Sequence, residues 1–226
     1  MRDAVRVWVL PAGAGPDELA RYRAVLDPAE RARAARLAAD GLRDRFTVAH
    51  GALRVLAGRA TGASPAALTW RRGRYGKPAL TGPWRGLHTS LSYSGDLVAV
   101  ALSEGRPVGV DIQHVVPGGD PVSASARFFH PREARHVAAG CDQAVRARRF
   151  VRLWARKEAA VKAAGGRLWP NLGMPVDRAD VVECADPAGR HRLADVVAPQ
   201  GCAVAVALAG DEPYAVECRT DLGDFR

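Results

Sequence analysis

The chain lacks several features that would place a protein quickly. In its 226 residues there is no apolar run long enough to span a bilayer, so no membrane partner is expected. Aromatic residues make up only 6 % and methionines number 2, and no RNP motif, zinc-finger spacing or aromatic–basic stripe occurs. A nucleic-acid partner is therefore not expected. The cysteines Cys141, Cys184, Cys202 and Cys218 lie far apart without a CxxC pair. A chain of this size does not need disulfides to hold its core, so free buried thiols are expected. The 6 histidines show no HExxH spacing, which argues against zinc. The N-terminus has a short apolar run with an early acid. It makes a poor signal peptide and a good first strand, so a cytoplasmic protein is expected. Acids are outnumbered, 24 against 33 Lys and Arg, for a net charge of +9. Taken alone, that surplus would suit any anionic partner, nucleic acid, membrane surface, phosphorylated small molecule or acidic protein, so charge by itself decides little. Hydrophobic residues make up 48 %, enough for a folded core of one large domain or two small ones.

In order along the chain, a strand to Leu10 and a short helix over residues 16–26 precede a strong helix start at Asp27-Pro28-Ala-Glu30. Aspartate there is the N-cap, proline sits at N1 and glutamate at N3. This helix is expected to run to about Ala39 and Gly41 to break it. The next, about Leu42 to Thr61, turns Phe46, Leu53 and Leu56 inward, with Arg45 and His50 at its rim. A strand over 67–72 leads into Gly73-Arg-Tyr-Gly-Lys77-Pro78. That loop is either a plain turn or a place where backbone and a lysine approach a phosphate. Two β-like runs flank Ser94-Gly95-Asp96 as a hairpin, and Val108-Gly-Val-Asp111-Ile-Gln113 follows as a strand. Alternation puts Val110 and Ile112 on one face and Asp111 and Gln113 on the other. A carboxylate in an apolar strand calls for an ion-pair partner or a metal ion.

Residues 115–127 read as a mobile loop, and Phe128-Phe129-His-Pro131-Arg-Glu133 introduces a short helix. A long helix over Phe150–Ala164 stops at Gly165. Phe150, Leu153, Trp154 and Val161 share one of its faces at about 100° per residue. Glu158 and Lys162 line one edge of that stripe and Lys157 the other. Alone, this is an ordinary i,i+4 pair on an amphipathic helix. The tail reads as strands over 181–184, 190–196, 202–208 and 214–218. Val98-Ala-Val-Ala-Leu102 recurs as Val204-Ala-Val-Ala-Leu208. In an alanine-rich chain this is either chance or a trace of two similar halves.

Taken together, Gly109-Val-Asp111-Ile-Gln113 and, some forty residues on, Trp154-Ala-Arg-Lys157-Glu158-Ala-Ala-Val-Lys162 resemble the paired signatures of the 4′-phosphopantetheinyl transferases. Tyr75-Gly-Lys77-Pro78, Leu91-Ser92-Tyr93-Ser94 and Phe128-Phe129 resemble further motifs of the same family. The resemblance is to the monomeric, two-lobed type serving polyketide and nonribosomal peptide synthases, and it covers roughly residues 27–172.

The resemblance implies an α+β fold: a pseudo-twofold pair of lobes, residues 1–106 and 107–226, each a small antiparallel sheet with a long helix. The active site would lie between them. It implies transfer of the phosphopantetheine arm of coenzyme A to a serine of an apo acyl or peptidyl carrier protein, with magnesium as cofactor. Asp111 and Glu158, with Gln113, would hold the metal. Glu158, Asp111 and Lys162 would be the catalytic set, Glu158 acting as base directly or through water. Coenzyme A would meet Lys77, Pro78, Ser92, Tyr93, Lys157, Lys162, Arg33 and Arg45. Many relatives have glutamate where this chain has Gln113 and histidine where it has Tyr93. That leaves open a binding protein on the same scaffold that holds coenzyme A or a carrier without transfer.

Overall fold

The computed structural model describes residues 3–116 and 118–223. Met1 and Arg2 of the expected first strand, and Pro117 of the expected loop, lie outside the described residues. The order is β1 (Asp3–Pro11), α1 (Pro16–Val25), α2 (Pro28–Ala35), α3 (Asp40–Thr61), β2 (Trp70–Arg72), β3 (Pro78–Leu80), β4 (Leu87–Ser94), β5 (Leu97–Glu104), β6 (Val108–His114), α4 (Pro121–Phe128), α5 (Pro131–Ala138), α6 (Gln143–Ala164), β7 (Val181–Ala185), β8 (Ala188–Val196), β9 (Cys202–Ala209) and β10 (Tyr214–Arg219). One sheet runs β10-β1-β5-β4 and another β6-β9-β8-β7; β2 and β3 form a small ribbon.

Period-2 alternation on the central strands builds three apolar layers. Val98, Val100 and Leu102 of β5 face α3 with Leu53 and Leu56. Ala99 and Ala101 turn the other way, toward Val5, Val7, Val110, Ile112, Val204 and Val206 in a core shared by both sheets. Ala205 and Ala207 of β9 pack on α6 with Leu153 and Val161. The two sheets also meet along β4 and β6 through serines. Ser90 Oγ accepts from Val110 N at 2.9 Å, Ser94 Oγ accepts from His114 N at 3.2 Å, and Ser92 Oγ donates to Asp111 Oδ1 at 2.6 Å.

The halves repeat one plan. Each has an eight-residue helix opening on proline with glutamate at N3 (α2, α5), then a 22-residue helix (α3, α6) ending on a left-handed glycine, Gly62 or Gly165, with φ 69° in both. In each, the glutamate takes a cation from the long helix exactly one span of 24 residues later: Arg54 Nε to Glu30 Oε2 at 2.6 Å, and Lys157 Nζ to Glu133 Oε2 at 2.6 Å. Both cations have side chains at 0 % exposure. Breaking such a buried pair by removing one partner costs about 3–5 kcal/mol. The duplicated pentapeptide is not the trace of this repeat. Val98, Val100 and Leu102 point at a helix, whereas Val204, Val206 and Leu208 point at the other sheet.

Several expectations need correction. The segment 115–127 is not one loop: Asp120 Oδ1 accepts from Ser123 N at 3.0 Å, Pro121 stands at N1, and α4 follows. The helix expected to reach Ala39 ends at Ala35, and Gly41 lies inside the first turn of α3 rather than before it. In 67–72 only β2 is strand, because Pro65–Ala67 forms a 3-10 turn. β10 does not belong with the second half's sheet. It pairs parallel with β1, Val5 opposite Val216, so the first sheet is mixed and the division at 106/107 is crossed by the chain's last strand. The thiols are free, but only Cys184 is buried; Cys141 and Cys218 are exposed.

Candidate functional site

β6 lies pressed onto α6 because Gly109 has no side chain. A Cβ there would stand 2.0 Å from Ala159 O and 2.4 Å from Ala163 N, distances no real atom tolerates. This contact brings Asp111, two residues along β6, to the helix edge carrying Glu158 and Lys162. Asp111 is 1 % exposed. Its Oδ1 accepts from Lys162 Nζ at 2.5 Å and Ser92 Oγ at 2.6 Å, and its Oδ2 from Gln113 Nε2 at 2.9 Å. Lys162 Nζ also donates to Ser92 Oγ at 3.0 Å. Glu158 is half-buried, and its carboxylate accepts no hydrogen bond among the described residues. Burial raises its pKa first, the charge of Asp111 raises it further, and Lys162 works the other way.

Lys162 also borders a cavity of ≈ 400 Å³ walled by α2, α3, β2, β4 and the turn after α6. Its lining includes Arg33, Arg72, Lys77, Pro78, Ser90, Leu91 and Tyr93. The Lys77 ammonium reaches across to Val108 O at 3.1 Å and Ala163 O at 2.7 Å, so the Tyr75-Gly-Lys77-Pro78 loop is tied to β6 and to the C-terminus of α6. A cation there suits the helix dipole, while burial pushes its pKa down to about 8. Two buried polar atoms among the lining residues, Trp70 Nε1 and Thr89 Oγ1, have no hydrogen-bond partner among the described residues. Such atoms are costly unless a ligand or water meets them. On the far side of Asp111, Gln113 and His114 open onto an apolar groove of ≈ 310 Å³ with Pro121, Ala124, Phe150 and Trp154.

The structure thus gathers Asp111, Glu158, Lys162, Ser92 and Gln113 at one point and Arg33, Lys77, Pro78 and Tyr93 around the adjoining cavity. Arg45 is half-buried on α3 and is not among the cavity's lining residues. Lys157 cannot face a phosphate. It has 0 % exposure, is bonded to Glu133 Oε2 and Met174 O, and stands 4.8 Å from the Phe129 ring centre. Sequence reasoning put it on an edge because periodicity alone does not show what faces that edge. The Arg54–Glu30 pair, with the same spacing in the first half, is the signal that marks Lys157 as structural. Arg72 was also missed. It reaches the cavity from β2, a strand with no motif of its own.

Residues 107–215 match the model of the 4′-phosphopantetheinyl transferase superfamily. The chain is 30 % identical over 221 residues to the 4′-phosphopantetheinyl transferase HetI of Nostoc sp., covering 93 % of this chain and 90 % of that protein. It is 31 % identical over 130 residues to the 4′-phosphopantetheinyl transferase of Bacillus subtilis, 55 % of this chain and 52 % of that one. Against the 4′-phosphopantetheinyl transferase AcpT of Escherichia coli it is 40 % identical over 98 residues, 43 % of this chain and 49 % of that one. The chain belongs to the 4′-phosphopantetheinyl transferase superfamily.

Proposed function

We propose that this protein transfers the 4′-phosphopantetheine arm of coenzyme A to a serine hydroxyl of an apo acyl or peptidyl carrier protein, releasing adenosine 3′,5′-bisphosphate. The observation that carries the reading is the convergence of Asp111, Glu158 and Lys162 between a cavity with four cations and an apolar groove. The reaction is displacement at phosphorus, in which positioning and charge neutralisation do most of the catalysis. Arg33, Arg72, Lys77 and Lys162 would hold the phosphates by charge-assisted bonds. Glu158 has an enhanced proton affinity and a free carboxylate, which suits removal of the serine proton. Ser92 fixes the rotamer of Asp111.

Magnesium fits the donor set. Asp111 and Glu158 offer hard carboxylate oxygens, and the amide oxygen of Gln113 is not used in the bond to Asp111. When bound, the ion would neutralise pyrophosphate charge. The carrier would dock at the apolar groove and α4, beside Phe128. Both walls of the cavity come from one chain, so a monomer suffices. Among the described residues no helix is long and apolar enough to cross a membrane. The same reading implies a cytoplasmic protein.

The test is incubation with coenzyme A, magnesium and an apo carrier, followed by intact mass of the carrier. Asp111→Ala and Glu158→Ala should each abolish the mass gain, whereas Gln113→Ala should reduce its rate far less. Full activity in Asp111→Ala, or in excess chelator, would sink the mechanism. An amide rather than an acid beside Asp111 favours a second reading, a protein that binds coenzyme A or carrier without transfer. The same assay distinguishes it, because coenzyme A would bind and the carrier mass would not change.

A further inference from the structure

Asp111 is satisfied in an unusual way. Three donors reach its two oxygens, and Lys162 is the one that brings a positive charge. The carboxylate of Glu158, four residues earlier on α6, has no hydrogen bond among the described residues, although the same ammonium and the same aspartate act on its charge. One cation, paired with Asp111, therefore also acts on the charge of Glu158. Lys162 is also held differently from the other lysines near the site. Lys157 is sealed at 0 % exposure, and Lys77 is bonded to two backbone carbonyls. The Lys162 side chain keeps 30 % exposure, bonds to the side chains of Asp111 and Ser92, and lines the cavity. Its ammonium is bonded to Asp111 and its side chain borders the cavity, on a flexible four-carbon stem.

Building on the transferase reading, we propose that Lys162 is an exchangeable counter-cation. In the free protein it fills the position at Asp111 that a divalent cation takes in the loaded protein, and the coenzyme A pyrophosphate draws it off. The exchange has to be coupled. A divalent ion cannot share Asp111 Oδ1 with an ammonium already 2.5 Å from it, because like charges that close repel strongly in a half-buried site. Nor can Lys162 leave alone, since that would strand a carboxylate with 1 % exposure. An anion in the cavity removes the first obstacle, and an arriving metal removes the second. Metal and coenzyme A therefore enter as a pair, and Lys162 changes partner from Asp111 to phosphate.

The test measures Mn²⁺ binding to the full chain by the electron paramagnetic resonance of free Mn²⁺, with and without coenzyme A. Wild type should bind Mn²⁺ weakly alone and more tightly with coenzyme A. Lys162→Met removes the ammonium and keeps the length. It should bind Mn²⁺ alone at least about tenfold tighter than wild type and lose the enhancement by coenzyme A. A purely structural role would give the opposite, looser metal binding. If Lys162→Met does not fold by circular dichroism, Lys162→Gln takes its place with the same expectation. Mn²⁺ affinity in the folded variant equal to or below wild type would overturn the proposal. So would a gain that survives addition of Asp111→Asn, since the metal would then sit elsewhere. The carrier-mass assay reports separately. Exchange without carrier modification would end the transferase reading alone, and transfer without the gain would end the exchange alone.

Discussion

Lys77 shows how much a single side chain can do at the lobe junction. Two of its three ammonium hydrogens go to Val108 O and Ala163 O, which leaves one for the cavity. Burial pushes its pKa down to about 8, against about 10.4 in an unfolded chain. Between those values the unfolded chain holds a proton that the folded one has lost. This group's contribution to stability therefore rises with pH across that window. Phosphate binding runs the other way, because the charge is present below about 8 and lost above it. Coenzyme A affinity should fall as pH rises from 7 to 9, while Lys77→Arg, charged throughout, should hold its affinity over the same range. Calorimetry at the two pH values checks this, and identical pH dependence in both proteins would remove Lys77 from the phosphates. Glu158 and Lys162 were legible in the sequence because an acid and a base four residues apart must share a helix edge. Lys157 was not legible in the same way. Its role depends on Glu133, which sits on a different helix.

Among the elements, the contact between β6 and α6 decides whether there is a site at all. Ala159 and Ala163 on the helix and Gly109 on the strand remove side-chain bulk from both surfaces, and Asp111 is carried in by the resulting approach. Gly109→Ala would place a methyl group into the carbonyl of Ala159, and neither backbone can yield locally. The variant should lose about 1–3 kcal/mol or more of stability and nearly all transfer, since strand and helix separate by the width of a methyl group. Thermal unfolding and the carrier-mass assay measure the two effects. Wild-type activity in Gly109→Ala would show that the close contact is not what aligns Asp111 with Glu158. The strand itself was readable from alternation, but the need for glycine within it was not, because a contact 50 residues distant sets it. α4 was unread for a different reason. The proline, glycines, serines and aspartate around it read as loop, yet Asp120-Pro121 is the same N-cap and N1 pair that correctly marked α2 at Asp27-Pro28.

At the scale of the whole molecule, the chain is a duplicated plan closed by a strand that breaks it. β10 returns to the first sheet and pairs with β1, so the first and last strands lie side by side. Pairing between residues some 200 apart leaves no local mark in the sequence, which is why this interlocking was not legible there. The net charge of +9 belongs to this scale too. Arg33, Arg72, Lys77 and Lys162 account for part of it at the cavity. Arg127, Arg146 and Arg148 lie on α4 and α6, the helices that wall the apolar groove beside Gln113. A carrier that is acidic around its serine would be steered to that face, and steering is a property of the summed field rather than of one contact. Its association rate should therefore fall steeply as salt rises, with dissociation changing little. Charge reversal at Arg127 and Arg148 should slow association several-fold while leaving coenzyme A affinity unchanged, because neither lines the cavity. Stopped-flow association at low and high salt decides it. An association rate indifferent to salt and to both substitutions would place the carrier on another face of the molecule.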